Sequence, residues 1–373
     1  MVVIKTKKFK TTFTLIAMAN PFNRRKFLGY GAATAATSLL LKACSPGATP
    51  EATTEKATAT QATAKEASSL AIVLPGTITD GGWNQLGYEG VKRAGDELGL
   101  EVAYVEQVKN ADQTEALTDF ARQGYSLVVG HGGQFDAAIE QVAAQFPETF
   151  FLGVNGDIVG DNYACVRTNY NQMLYLSGMI GAAMSTTKKM AYLAGMEFKS
   201  TQQQGVAMDL GAKAMDPSAE VVSSFVGDFN DIAKAKESAL ALISSGVDVI
   251  FHNLDKSAPA VLKACEEAGV YAFGNNIDQF DLAPEAILTS AIQDIGGAIS
   301  MVAGLAGKGE IEGKKYVIGL ETPELVRFGT FNEAVPEEVR AQVETVAADM
   351  VAGKLTFEDA EENGKAAVRL VTS

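Results

Sequence analysis

Cysteine, tryptophan and histidine are scarce in this chain of 373 residues, at three, one and two copies. So few cysteines, none at metal-ligand spacing, exclude a disulfide framework and a zinc site; Cys165 and Cys265 read as buried free thiols. Motifs of catalysis are missing too. There is no G-x-S-x-G elbow, no H-E-x-x-H, no phosphate-loop lysine, and no G-x-G-x-x-G after the first strand. His131 and His252, with Asp80, Asp136, Asp255 and Asp278, offer acid and base groups, yet a histidine at a strand end more often hydrogen-bonds its own loop. Binding therefore ranks above catalysis, and no cofactor is called for. Basic charge is short after the N-terminus: setting aside the eight Lys/Arg of residues 1–43 leaves 23 against 45 Asp/Glu, near −22. That balance argues against nucleic acid or anionic headgroups as partners.

The N-terminus itself reads as an address label. Residues 1–43 carry no acidic residue, and Asn23-Arg24-Arg25-Lys26-Phe27-Leu28 leads into an apolar run from Gly29 to Leu41 that is too short to span a bilayer. The paired arginines resemble a twin-arginine export signal, with an ordinary secretory signal as the alternative. Leu41-Lys42-Ala43-Cys44 resembles a lipobox, although Lys42 departs from the usual small or apolar residue. Acylation at Cys44 is the expectation. Residues 44–69 are then a polar, Ala/Thr-rich tether with too little apolar surface to build a core.

From Leu70 onward short apolar runs alternate with helical periodicity, which indicates βαβ units and parallel sheets covered by helices. The strands expected are 70–74, 101–105, 126–129 and 149–154; the series restarts at 189–193, 220–225, 247–251 and 270–273. ALTDFARQGYSLVVGH, ending at His131, aligns with ALALISSGVDVIFH, ending at His252. Each is a helix, a terminating glycine (Gly124, Gly246), a strand and a polar loop. Two similar α/β lobes with polar loops at their strand ends make a clamp around a shared crevice.

Three stretches, LAIVLPGTITDGGWNQLGYEGVKRA, GVYAFGNNIDQFDLAPEAILTSAIQDIGGAI and PEEVRAQVETVAADMVAGKL, resemble the basic membrane protein (Bmp) family of bacterial solute-binding lipoproteins across residues 70–355. The resemblance implies the type I periplasmic-binding fold, two Rossmann-like lobes joined by a multi-strand hinge. Lobe one is expected at 70–168 plus about 277–310, and lobe two at 169–276 plus about 311–360. It also implies a monomeric, extracytoplasmic receptor that delivers a small molecule, typically a purine nucleoside, to the permease and ATPase of an ABC importer. In this family the turn after strand one carries an acidic residue, an aromatic and Asn, matched here by Asp80, Trp83 and Asn84. The aromatic stacks on a flat heterocycle while carboxylate and amide meet its edge.

Phe229 stands where a second aromatic is common, Asp278 matches the aspartate that accepts ribose hydroxyls, and Asp136 is a candidate for the base edge. His131 belongs to the same set of strand-end residues. This chain departs from the family at Asn253-Leu254-Asp255-Lys256-Ser257, where a glycine-rich loop is usual, and at Gln293, where a lysine is usual. Both changes bear on the ligand. A free purine base such as adenine, a flavin, or a sensor feeding a signalling kinase remain open beside the nucleoside receptor.

Overall fold

A parallel sheet covered by helices on both faces has no solvent side, so its strands are continuous apolar runs. The runs along this chain form them. The computed structural model describes residues 66–372, which fall within one compact unit. The expected export signal, Cys44 and most of the expected tether lie outside the described residues. In the first lobe β1 (Ser69–Val73), β2 (Glu101–Val105), β3 (Leu127–His131), β4 (Phe150–Val154) and β5 (Tyr163–Thr168) are interleaved with α1 (Trp83–Leu98), α2 (Gln113–Arg122) and α3 (Asp136–Ala143). In the second, α4 (Tyr170–Met184) leads to β6 (Lys189–Ala194), α5 (Lys199–Met215), β7 (Glu220–Phe225), α6 (Ile232–Ser244), β8 (Val249–Asn253), α7 (Ala258–Ala268), β9 (Tyr271–Asn276) and β10 (Ile287–Gln293). The chain then recrosses with α8 (Ile295–Gly307), β11 (Lys315–Ile318), β12 (Val326–Phe328) and α9 (Glu337–Val351), and ends in a hairpin of β13 (Leu355–Glu362) and β14 (Lys365–Thr372).

The sheets are β11-β5-β4-β3-β1-β2 and β12-β10-β9-β8-β6-β7, the same winding twice. All pairings in them are parallel except β10 with β12. The repeat extends to Gly124 and Gly246, whose φ values of 83° and 98° end α2 and α6 in the left-handed region that side chains disfavour. In such sheets the order reverses between β1 and β3, and again between β6 and β8, and the crevice opens at the carboxyl ends of those strands. The loops that matter are therefore those after β1, β3, β6 and β8.

Three segments pass between the sheets: β5 to α4, β10 to α8, and β11 to β12. The expected boundary at 277 needs correction. Only ten residues and one turn of 3-10 helix separate β9 from β10, so the chain pairs beside β9 in the second sheet and crosses after Gln293. Likewise β11, expected in lobe two, is hydrogen-bonded to β5 in the first sheet. The fold also begins before residue 70. Ala67 is buried, and its N–H donates to Ala306 O at 2.8 Å.

One apolar cluster runs from Ile72 and Val129 through Met173 and Met179 of α4 to Tyr192 and Phe251. Helix α4 is buried over most of its length because α5 and α9 both pack on it. Separate clusters lie under α2 with α3 and under α6 with α7. The hairpin, which the apolar pattern of the sequence does not announce, packs on α5 through Gln203 to Asp359 and the Ala366 N–H to Gln202.

Candidate functional site

The turn before α1 is organised by one buried carboxylate. Asp80 Oδ1 accepts from the Gly82 and Gln85 N–H groups at 2.9 and 3.1 Å, and Oδ2 from Asn84 N and Nδ2 at 3.0 and 2.7 Å. Asn84 Oδ1 in turn accepts from Gly76 N at 3.0 Å. Helix N-termini leave their first N–H groups without partners, and an acidic residue there satisfies them and complements the helix dipole. Asp80 and Asn84 thus spend most of their hydrogen-bonding capacity shaping the turn. Its product is the placement of Trp83.

Trp83 is half-buried and stacks on His131, with ring centroids 4.6 Å apart and planes 24° from parallel. His131 Nε2–H donates to the Trp83 carbonyl at 2.8 Å, while Nδ1 is buried without a partner. Burial pushes the imidazole down to about 4, so it is neutral near pH 7. His131 is fully buried behind the indole, which makes it a support for Trp83. His252 repeats the arrangement in lobe two. Its Nε2 meets Gln279 Oε1 at 2.9 Å, its Nδ1 is unpartnered, and burial pushes it down to about 4.

The loop after β8 faces this turn. Asp255 N and Ser257 Oγ both donate to Phe229 O, at 3.1 and 2.7 Å, which ties the loop to Phe229. The Phe229 ring sits over Gly195 and 6.2 Å from the ring of Phe198. A Cβ added to Gly82 would lie 3.3 Å from Asp255 Oδ1, so the glycine lets the two lobes' loops approach. Asp255 keeps some exposure as a residue, but its carboxyl is enclosed. Burial and the neighbouring Asp80 charge push it up to about 7, against the N–H of Trp83, which donates to it. The two jaws meet here.

Below them the end of the second sheet carries a ladder of neutral polar groups. Asn253 Nδ2 donates to Tyr192 Oη at 3.0 Å and Gln204 Oε1 at 2.7 Å. Asn275 Nδ2 approaches Asn253 Oδ1 at 3.5 Å, and the Tyr170 hydroxyl lies between Asn275 Oδ1 and Ala291 O. Nothing in the local sequence marks Tyr170, Tyr192, Gln204 and Asn275 as site residues, because strand register and the packing of α4 and α5 bring them together.

Three expected residues have other employment. Gln293 Oε1 accepts from Thr168 Oγ1 and Gln293 Nε2 donates to Asn276 Oδ1 at 2.8 Å, so it ties together the strand ends at two of the crossings. Asp278 is exposed, and its Oδ2 accepts from Thr330 N and Oγ1 at 2.9 and 2.7 Å. Partial burial pushes its carboxyl up, but these Thr330 bonds outweigh it and hold the group below the ordinary value. Asp136 Oδ2 accepts from Asp157 N at 2.8 Å, and its carboxyl lies against Gly153 and Gly156, pinning the β4–β5 loop to α3.

Comparison with known proteins decides the class. Residues 67–354 match the family model described as Bmp, ABC transporter substrate-binding protein PnrA-like. The chain belongs to this family. Among curated relatives it is 28% identical to the transcriptional activator protein med of Bacillus subtilis, over 74% of this chain and 86% of that one. It is 26% identical to a purine-binding protein of Brucella abortus, over 78% and 83%. Among solved structures it is similar to a transcriptional activator of comK from Bacillus halodurans, at 26% identity and TM-score 0.66, covering 76% of this chain and 97% of that one. An ABC transporter solute-binding protein of Aeropyrum pernix shares the fold at TM-score 0.70 and 20% identity, covering 79% and 94%. The Bmp chain is thus a solute-binding protein of the ABC transporter class, with the α/β architecture of type I periplasmic binding proteins.

Proposed function

We propose that this Bmp protein is a lipid-anchored, extracytoplasmic receptor that closes on a purine nucleoside and presents it to an ABC permease. The observation that carries the reading is Trp83. It is an aromatic ring held at the switch point of lobe one and backed by His131, in a turn that the lobe-two loop of Asp255 approaches at Gly82 and the Trp83 N–H. A flat heterocycle gains roughly 1–3 kcal/mol per base from such stacking. The neutral amides and hydroxyls beneath suit a ligand without strong charge. Similarity to a purine-binding protein supports the same class. A free purine base is the second reading, favoured by Asp278, whose oxygens already serve Thr330 and Phe280 where ribose would need them.

The chain's single tryptophan is the reporter. Titration with adenosine, guanosine, inosine, adenine and riboflavin should change its emission only for the ligand class bound. Trp83→Phe should keep much of the affinity, whereas Trp83→Ala should lose roughly 1–3 kcal/mol, about tenfold to a hundredfold or more. Tight calorimetric binding of a purine with unmoved emission and normal affinity in Trp83→Ala would place the pocket elsewhere.

A further inference from the structure

The geometry points to Asp255 as an interlobe latch that is made in its protonated form, so that the clamp takes up a proton as it closes. The inference rests on the reading of the two lobes as a closing clamp. Asp255 belongs to the loop after β8, while the groups around its carboxyl belong to the other lobe: Gly82, the Trp83 N–H and the Asp80 carboxylate at the start of α1. From its own lobe Asp228 adds a second negative charge. Lys256, next in the chain, is exposed. His131 stands behind Trp83 and is neutral above about 4, so it brings no countercharge near neutrality. One N–H bond therefore opposes two carboxylates and the loss of water.

When the lobes part, Asp255 regains solvent and leaves the Asp80 charge, so its carboxyl falls back toward the ordinary range; with the lobes together it stands at about 7. The group's affinity for protons is raised by closure. Its contribution to the closed form is fully present below the open-state value and is lost as pH rises through the closed-state one. Acidification between pH 8 and pH 4 therefore favours closing, and any ligand that requires closure binds more tightly in acid.

Small-angle scattering of the ligand-free protein tests the latch without knowledge of the ligand. The radius of gyration should be smaller at pH 5.5 than at pH 8.5. Asp255→Asn, which mimics the protonated acid in shape and charge, should stay compact at both. Asp228→Asn, which removes one of the two like charges, should keep the transition but move its midpoint to lower pH. With adenosine as probe, affinity should fall about tenfold from pH 6 to pH 8 in the wild type and stay level in Asp255→Asn. Equal wild-type dimensions at the two pH values, or an unchanged transition in Asp255→Asn, would overturn the latch. Failure of adenosine to bind at any pH would count against the nucleoside reading alone, and scattering would still decide on Asp255.

Discussion

His131 and Trp83 act as a pair, in which the indole offers a face and the imidazole fixes its angle from behind through ring contact and a bond to its carbonyl. Trp83 was legible as a candidate in the sequence, because an indole between glycines and asparagine has no ordinary core role. The supporting role of His131 was not, since it depends on a ring-to-ring contact between positions 83 and 131 that only the fold creates. The same burial makes both histidines acid-sensitive. Their ordinary value of 6.5 falls to about 4 in the folded protein, so the unfolded chain binds protons first. A depressed value stabilises above the unfolded pKa and ceases to do so as pH falls toward the folded one. Each histidine should cost up to about 3 kcal/mol by the end of that window. Urea unfolding at pH 7 and pH 4.5 checks this for His252, whose ring bonds Gln279 within the second lobe. Relative to wild type, His252→Gln should lose about 2 kcal/mol less between the two pH values. Equal losses would remove the buried imidazole from the account of acid denaturation.

Helix α1 shows how an element converts a sequence signal into a site. It starts at Trp83, because Asp80 collects the N–H groups of residues 82, 84 and 85 and so carries the helix back into the glycine-rich turn. Asp80→Ala removes four accepted bonds at once. Loss of a cap costs about 0.5–2 kcal/mol, and the buried N–H groups left behind push this helix toward the upper end. Thermal unfolding should show that loss, with weaker adenosine binding because Trp83 is no longer held. Unchanged stability would mean that water replaces the carboxylate. The eight expected strands lie within a few residues of β1–β4 and β6–β9, because the strands of covered parallel sheets read as apolar runs, whereas β5, β10, β11 and β12 were not marked. Nor was the β13–β14 hairpin. LTFEDAEE is polar at most positions, and its few inward residues find their partners on α4 and α5, as Phe357 does on Tyr175.

At the scale of the molecule, two copies of one winding were readable from the repeated helix-glycine-strand unit, whereas the path between lobes was not. Which sheet a buried strand joins depends on the connection before it: β10 stays beside β9 because ten residues are too few to cross, and β11 joins the first sheet because α8 before it packs on α1. Three crossings with Gln293 bridging two of them leave a clamp whose described part, residues 66–372, carries every candidate ligand-binding residue named above. Attachment at Cys44, expected from the sequence, should then be separable from ligand capture. If Cys44 carries the lipid, each buried acyl methylene contributes about 0.8 kcal/mol to membrane affinity, and Cys44→Ala removes all of it while leaving residues 66–372 unchanged in sequence. Fractionation of the producing cells should move the variant from membranes to the soluble extracytoplasmic pool, and adenosine titration should give the wild-type curve. Membrane retention equal to wild type would refute acylation at Cys44 and return residues 1–43 to the role of an export signal alone.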